Sequence, residues 1–256
     1  MFSNLEIRIL VCKKDIEMSL NMINSLRKYE EFKNIPIFFH SDGSLDTGCK
    51  TLLNELGNTF IIEKDYADTK ILEYIGDYTS CKRYRFEINK LFNPTKMKLF
   101  DLFFLSETKN ILCIDSDILF INKPENIINL INKSTPFYFP DFQNAYSFCK
   151  TTKANTLEKV NVGIFYIPSE SYYNINSIEF ALNDLFTIGM TNGNWIEQSA
   201  WSHMYYENGS YVSLDNTKNQ IPNPYGDIPD NVESLHFVSH PPIRRLYNHF
   251  LEREYL

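Results

Sequence analysis

The sequence contains few cysteines, and none of them forms a recognisable metal or redox motif. They are odd in number and scattered, without a CxxC pair or a histidine at zinc-finger spacing. The five are Cys12, Cys49, Cys81, Cys113 and Cys149. This pattern argues against a zinc finger, and it favours a reducing, intracellular compartment.

Long apolar runs are also missing. None approaches the length of a membrane span, and the first twelve residues carry Glu6 and Arg8 without a long apolar core. We therefore expect a soluble, cytoplasmic protein without a signal peptide or a transmembrane segment.

Basic residues are fewer than acidic ones, 25 against 32, which gives a formal net charge of -7. Nucleic-acid backbones require a basic face, so this balance argues against a general nucleic-acid-binding protein, although a local basic pocket for one diphosphate is still allowed. The sequence also lacks internal repeats, low-complexity tracts and convincing linkers. A single domain over residues 1–256 is the simplest expectation.

Strand-like apolar segments alternate with segments of helical spacing. Strands are predicted at Ile7–Cys12, Ile35–Phe39 and Phe60–Ile62, with helices between them. Such alternation indicates an α/β fold with a mixed, mostly parallel sheet flanked by helices.

The pattern is weaker between residues 65 and 93. Helical spacing returns over Cys81–Phe92, where we interpret Arg83 and Arg85 as a solvated face, with phosphate contact as the less favoured alternative. A clearer helix is predicted from Pro94 to Leu105.

Up to Asp115, the segment Ile111–Ile121 is apolar at both odd and even positions, which predicts a strand buried on both faces. In an extended backbone Asp115 and Asp117 would point the same way, within reach of one cation. Carboxylates at the carboxyl end of a buried strand lie where open α/β sheets bind ligands. Because two unpaired like charges are costly, we expect a divalent ion here that bridges to a phosphate; a solvated strand end or a helix cap is the alternative.

Later segments supply further polar groups. Phe137–Asp141 is predicted as a short strand that ends in a carboxylate, and Val160–Pro168 as a strong strand whose Gly163 permits close approach of a ligand or a neighbouring strand. A helix that begins at Trp195 would place Glu197 and Gln198 in its first turn.

His236 lies in a short predicted strand, Ser234–Val238, before a terminal helix. A core or surface histidine is the ordinary interpretation of such a residue. Its place before a Pro-rich tail favours a metal ligand instead.

Five short motifs, in this order along the chain, resemble those of the GT-A nucleotide-sugar glycosyltransferases, and most closely family 8, which includes glycogenin-like and lipooligosaccharide galactosyltransferase-like enzymes. The motifs are Thr95-Lys96-Met97-Lys98-Leu99, Asp115-Ser116-Asp117 (DxD), Asn161-Val162-Gly163, Glu197-Gln198 and His236-Phe237. The chain departs from the family pattern at Glu197, where Asp is more usual. It departs again after His236, where Ser239 and Pro242 replace a Gly and part of a Lys-Pro-Trp.

The resemblance implies a GT-A fold, with a nucleotide-binding half over residues 1–120 and an acceptor half with a C-terminal tail over residues 121–256. It also implies a metal-dependent hexosyltransferase that moves a sugar from a UDP-sugar, with retention, to a hydroxyl of a glycan, protein or lipid. The implied cofactor is Mn²⁺ or Mg²⁺, which would act as a Lewis acid on the leaving diphosphate; Mn²⁺ also tolerates an imidazole ligand. A homodimer is compatible with this assignment.

Individual roles follow from the resemblance. The metal ligands would be Asp115, Asp117 and His236. The donor would contact Cys12, Lys13, Asp15, Lys98, Asp115, Ser116, Asp117, Asn161 and Gly163. The residues nearest the transferred sugar would be Asp141, Glu197 and Gln198. An ordinary loop at Cys12–Asp15 and a solvated Lys98 are the alternatives, and an inverting enzyme would need Asp141 or Glu197 as a base.

Three other functions compete with this interpretation. A haloacid-dehalogenase-type phosphatase also has Asp-x-Asp after an apolar strand, but normally on the first strand of the chain. A nucleotidyltransferase usually opens with a Gly-rich phosphate loop, which Lys13-Lys14-Asp15 does not provide. A non-catalytic nucleotide-sugar or glycan-binding module would keep the fold and tolerate loss of the metal ligands, all of which are present.

Overall fold

The computed structural model describes residues 2, 4–88, 94–142, 153–190, 193–238 and 241–253. Its strands are β1 (Glu6–Val11), β2 (Ile37–Ser41), β3 (Thr59–Ile62), β4 (Ile111–Ile114), β5 (Ile118–Phe120), β6 (Phe137–Pro140), β7 (Val160–Ile167), β8 (Val212–Ser213), β9 (Asn219–Gln220) and β10 (Ser234–His236). Its helices are α1 (Ile16–Arg27), α2 (Thr47–Glu55), α3 (Lys64–Ile75), α4 (Thr79–Lys82), α5 (Thr95–Lys98), α6 (Asp101–Phe104), α7 (Glu125–Asn132), α8 (Ile175–Thr187), α9 (Gly193–Asn208) and α10 (Pro241–Arg253).

The main sheet has seven strands in the order β3-β2-β1-β4-β7-β6-β8. Strands β3, β2, β1 and β4 are parallel, whereas β7 runs antiparallel to both β4 and β6. The carboxyl ends of β1, β4 and β6 therefore share one edge with the amino end of β7. The predicted α/β architecture with a mixed, mostly parallel sheet is confirmed.

Strand β4 lies at the centre and is buried along its whole length. Ile111 and Cys113 belong to a core cluster with α8 and α9, whereas Leu112 and Ile114 belong to a second cluster with α1 and α7. Alternate side chains of one strand thus supply both cores, as the period of two requires. No helix within the described ranges is long and apolar enough to cross a bilayer.

The segment after β4 differs from the prediction. Extended structure ends at Ile114, and Asp115–Asp117 forms a turn in which the Ile118 amide donates to the Asp115 carbonyl at 3.3 Å. The chain then enters a second, three-stranded sheet of order β5-β10-β9. The strand thus ends at the carboxylates, as predicted, but the extended backbone expected over Asp115–Asp117 was wrong, because the chain turns there into a different sheet.

Two helical predictions also need correction. Helix α3 lies in the region where the sequence pattern is weak. The pattern is weak there because the buried residues Ala67, Ile71 and Ile75 form a stripe only one residue wide. The single helix predicted over residues 94–105 is divided into α5 and α6, which are separated by Leu99 and Phe100. Part of the predicted helix Cys81–Phe92 lies outside the described residues.

Arg85 is not on a solvated face. It is 2% exposed, donates through Nε and Nη2 to the two carboxylate oxygens of Asp101 at 2.9 and 2.8 Å, and donates to Asp68 at 2.6 Å. Arg83 is exposed, as expected, and lies over the ring of Phe186.

Candidate active site

Asp115, Asp117 and His236 converge at the end of β4. Nε2 of His236 lies 3.2 Å from Oδ1 of Asp117 and 3.9 Å from Oδ2 of Asp115. One ligand atom from each of the three residues lies within 4.8 Å of the others. Although the Asp115–Asp117 backbone is a turn rather than a strand, both carboxylates still face one point, and this spacing suits a single cation.

Strand pairing brings His236 to the two aspartates. His236 of β10 pairs with Ile118 of β5 in antiparallel register, and the amide of Phe237 donates to the Asp117 carbonyl at 2.8 Å. The third candidate ligand is therefore fixed to the backbone immediately after Asp117.

Gly163 provides the space for this imidazole. A Cβ atom at position 163 would lie 2.6 Å from Nδ1 of His236 and 3.0 Å from Oδ1 of Asn161. The close approach expected at Gly163 is therefore made by a side chain, that of His236. Gly163 is absent from the cavity lining, so its expected contact with the donor stays a prediction.

Each aspartate is paired with a basic side chain. Nζ of the buried Lys98 lies 2.7 and 2.9 Å from the two carboxylate oxygens of Asp115, while Nη2 of Arg244 lies 3.0 Å from Oδ2 of Asp117. Burial raises the pKa of Asp115 although Lys98 acts in the opposite direction. Burial also opposes ionisation of Asp117, but His236 and Arg244 hold its pKa below the ordinary value. The solvated position considered for Lys98 is wrong.

Glu197 lies on the other side of Lys98, with 3.8 Å between Oε1 and Nζ. Its Oε1 is buried and has no hydrogen-bond partner among the described residues. Burial raises the pKa of Glu197 to about 7, although Lys98 opposes the shift. Helix α9 begins at Gly193, two residues earlier than predicted, so Glu197 and Gln198 lie just beyond its first turn.

Asn161 connects the ends of β6 and β7. Its Nδ2 donates to Oδ2 of Asp141 at 3.3 Å, and its Oδ1 accepts from the Gly163 amide at 2.7 Å. Asp141 is therefore held at the sheet edge, close to the other acidic groups.

These side chains line one cavity of about 810 Å³. The predicted site residues in its wall are Lys98, Asp115, Asp117, Asp141, Asn161, Glu197, Gln198 and His236. Sequence reasoning missed the remainder of the wall, which is Thr95, Phe142, Val162, Trp195, Ile221, Pro222, Asn223, Pro224, Val238 and Ile243. The Pro-rich segment was the available signal for residues 221–224, and the large apolar residue directly after Asp141 was the signal for Phe142.

The remaining predicted donor residues do not line the cavity. Cys12, Lys13 and Asp15 follow β1, and Ser116 lies within the Asp115–Asp117 turn. Sγ of Cys12 donates to Asp15 at 2.9 Å, and burial raises the pKa of this thiol to about 12. Since β1 and β4 are parallel neighbours, this loop starts at the same sheet edge as the aspartates. Its contact with a nucleoside stays a prediction.

The fold is shared with solved glycosyltransferases at low sequence identity. An active-site mutant of LgtC has a TM-score of 0.64 at 9% identity, over 96% of this chain and 95% of that chain. Mouse xyloside xylosyltransferase 1, in its apo form, has a TM-score of 0.62 at 13% identity, over 92% and 98%. The galactosyltransferase LgtC with donor and acceptor sugar analogues has a TM-score of 0.59 at 11% identity, over 96% and 94%.

No protein-family model matches the sequence, and no curated protein sequence matches it either. The structural likeness extends over nearly the whole chain and shows that the fold is that of the GT-A glycosyltransferases. At these identities it shows the fold alone.

Proposed function

We propose that this protein is a metal-dependent glycosyltransferase that uses a nucleoside diphosphate sugar, a UDP-sugar in the first instance, and a hydroxyl acceptor on a glycan, protein or lipid. The observation that carries the proposal is the convergence of Asp115, Asp117 and His236 in a cavity that also contains Lys98. The fold shared with a galactosyltransferase and a xylosyltransferase supports it.

The donor atoms fit a divalent transition metal. Two carboxylates supply hard oxygen ligands, and Nε2 of His236, which faces both of them, supplies the imidazole that Mn²⁺ tolerates better than Mg²⁺ does. Such an ion, when bound, stabilises the negative charge of a leaving diphosphate as a Lewis acid. We therefore favour Mn²⁺ held by Asp115, Asp117 and His236.

The protein's own groups then have distinct tasks. Lys98 orients Asp115 and presents a fixed positive charge at the cavity wall, where it would hold a phosphate or a sugar hydroxyl of the donor. Asp141 is oriented by Asn161, and with Glu197 and Gln198 it would contact the transferred sugar. Retention is the stereochemical outcome we favour, because the family that the motifs resemble is retaining.

We also propose that residues 1–120 hold the nucleotide. This half contains the parallel strands β1 to β4 and the loop at Cys12–Asp15, at the sheet edge where α/β folds bind ligands. Residues 121–256 would then bind the acceptor.

A donor screen tests the proposal. The protein is incubated with Mn²⁺ and each common UDP-, GDP-, CDP- or TDP-sugar without acceptor, and the released nucleoside diphosphate is measured. We expect release from one donor, and a loss of about a hundredfold or more in Asp117→Asn. The matched control is Asp77→Asn, at an exposed aspartate outside the cavity.

The screen can also reject the proposal. Absence of release from every donor, together with absence of an Mn²⁺-dependent thermal shift with every nucleotide, would favour a non-catalytic binding module. Equal losses in Asp117→Asn and Asp77→Asn would show that the effect does not come from the cavity.

A further inference from the structure

The two most exposed aromatic side chains of the described residues lie at the cavity or next to one of its lining residues. Tyr225 is 89% exposed and Phe142 is 63% exposed, whereas every other exposed large hydrophobic side chain in the described ranges is 56% exposed or less. Phe142 lines the cavity, and Tyr225 directly follows Pro224, which also lines it. Exposed apolar groups of this kind at a cavity entrance indicate a surface that a ligand covers.

Both rings are attached to anchored backbone. Phe142 follows Asp141, whose amide donates to the Lys159 carbonyl at 2.7 Å. The amide of Tyr225 donates to Oδ1 of Asn223 at 3.0 Å, within the loop after β9. Trp195, half-buried in α9, also lines the cavity. Phe142 and Trp195 thus line the cavity from two separate elements, and Tyr225 lies on a third element next to the lining residue Pro224.

Polar groups lie among these rings. Asp141 precedes Phe142, Gln198 is one turn from Trp195 on α9, and Asn223 lies two residues before Tyr225; all three polar residues line the cavity. A pyranose ring offers an apolar face of C–H bonds and a rim of hydroxyl groups, so aromatic rings beside carboxylate and amide groups match both parts of it.

Other acceptors fit this entrance less well. An alkyl chain packed on the rings would cover Asp141 without offering it a hydrogen bond, which is costly. A peptide is commonly bound by strand addition to a sheet edge, whereas Phe142, Trp195 and Tyr225 lie on two loops and a helix.

We propose that Phe142, Trp195 and Tyr225 form an aromatic subsite that holds a sugar ring of the acceptor, and hence that the acceptor is a saccharide. The inference rests on the proposed function, because it places an acceptor sugar in the same cavity as the donor, beside the residues Asp141 and Gln198 that would contact the transferred sugar. A cavity of about 810 Å³ is in the range that encloses a ligand of this size.

The two tryptophans allow a binding test that does not depend on turnover. Trp201 is fully buried, so quenching of the fluorescence by acrylamide reports mainly on Trp195. The probes are methyl glycosides and disaccharides of glucose, galactose, mannose, xylose and N-acetylglucosamine, added to the protein with UDP and Mn²⁺. We expect at least one of them to protect Trp195 from acrylamide, and this signal to vanish in Trp195→Phe.

Substitutions locate the subsite. We expect Phe142→Ala to raise the Kd of the protecting saccharide about tenfold and Tyr225→Ala about threefold, since each loses one ring contact. Tyr66→Ala, at another exposed aromatic residue on α3, is the control and should leave the Kd unchanged. The side chains of Phe142 and Tyr225 are exposed, so the thermal unfolding temperature should not change.

The outcomes separate this inference from the proposed function. Failure of the donor screen would remove the proposed function, while the fluorescence result would still decide whether a saccharide binds. Protection by none of the saccharides, protection by a Ser/Thr peptide instead, or an unchanged Kd in Phe142→Ala would each overturn the aromatic subsite.

Discussion

Two groups of buried charges differ in how completely they are satisfied. Around Arg85, both oxygens of Asp101 accept hydrogen bonds from one guanidinium, and Asp68 accepts another. Around Lys98, the charges face a cavity, and Oε1 of Glu197 is buried without a hydrogen-bond partner among the described residues. Nδ1 of His236 is also buried and has no hydrogen-bond partner in the part of the chain that the structure describes.

The comparison shows that buried charge is not by itself a sign of function. The Arg85 group, which consists of Arg85, Asp68 and Asp101, is closed, because Arg85 already satisfies both carboxylate oxygens of Asp101. The Lys98 group has polar capacity that the protein does not use and space in which a ligand could use it. We expect the closed group to contribute mainly to stability and the open group mainly to binding.

The largest expected effect is on the closed group. Arg85→Met would leave the fully buried Asp101 without its partner and lower the free energy of unfolding by about 3–5 kcal/mol. Chemical denaturation measures this change. The control is Arg83→Met, at an exposed arginine two residues away, which should lower the free energy of unfolding by less than about 1 kcal/mol. Equal losses in the two variants would contradict the comparison.

The next effect concerns pH. Burial raises the pKa of Glu197 from 4.5 to about 7, so the folded state binds more protons than the unfolded state between these values. Stability should therefore fall as pH rises through this window and level off above it, by at most about 3 kcal/mol. Glu197→Gln, which cannot ionise, should lack this fall.

Unfolding free energies measured at pH 5 and pH 8 in the presence of a chelator test this expectation. The variant should match the wild type near pH 5 and exceed it at pH 8. Parallel pH profiles of the wild type and the variant would show that the pKa of Glu197 is not raised in the folded state.

A smaller effect concerns the rigidity of the open group. Gly163→Ala would place a methyl group against the ring of His236 and force it to move, at a cost of about 1–3 kcal/mol in stability. The thermal shift produced by Mn²⁺ should be lost as well, because a displaced imidazole no longer faces the aspartates.

Gly189→Ala is the control for Gly163→Ala, since a Cβ there meets no atom within 4 Å, although its positive φ adds backbone strain. Gly189→Ala should retain the thermal shift produced by Mn²⁺, whether or not its own stability changes. A normal Mn²⁺ shift in Gly163→Ala would mean that His236 is not a ligand.

The smallest effect should come from Arg244. Its ion pair with Asp117 is partly exposed, so Arg244→Gln should cost less than about 1 kcal/mol in stability. Affinity for UDP with Mn²⁺ should fall about tenfold, since a cation beside the ligand oxygens is lost. Arg245→Gln, at the exposed neighbour on α10, should change neither quantity in calorimetric titration; similar losses in both variants would refute a specific role for Arg244.

The sequence was sufficient to predict the central features of the fold and most of the polar residues in the cavity wall, but not its apolar residues. The runs at β4 and β7 are mostly apolar, and Asp115 with Asp117 interrupts the first of them, so local spacing alone indicates a strand end with a ligand site. The motif resemblance and the Pro-rich tail after His236 pointed to this residue as a third ligand, which stays a prediction.

The rest depends on contacts between distant residues. Arg83 and Arg85 are equivalent in sequence, and only the position of Asp101 makes one of them buried. The separation of β4 from β5 requires β10 as a partner, more than a hundred residues later. Phe142 and Tyr225 come from loops, whose positions spacing does not predict.

The pairing of β5 with β10 has a consequence for the order of folding. Asp115 and Asp117 are synthesised about 120 residues before His236, and the strand that carries the histidine is held beside them by non-local pairing. Closing so long a segment is entropically unfavourable until the main sheet has formed, so we expect this contact to form late. A growing chain would therefore have the two carboxylates long before His236 can join them, and the proposed metal site would be complete only once the later half has folded onto the earlier one.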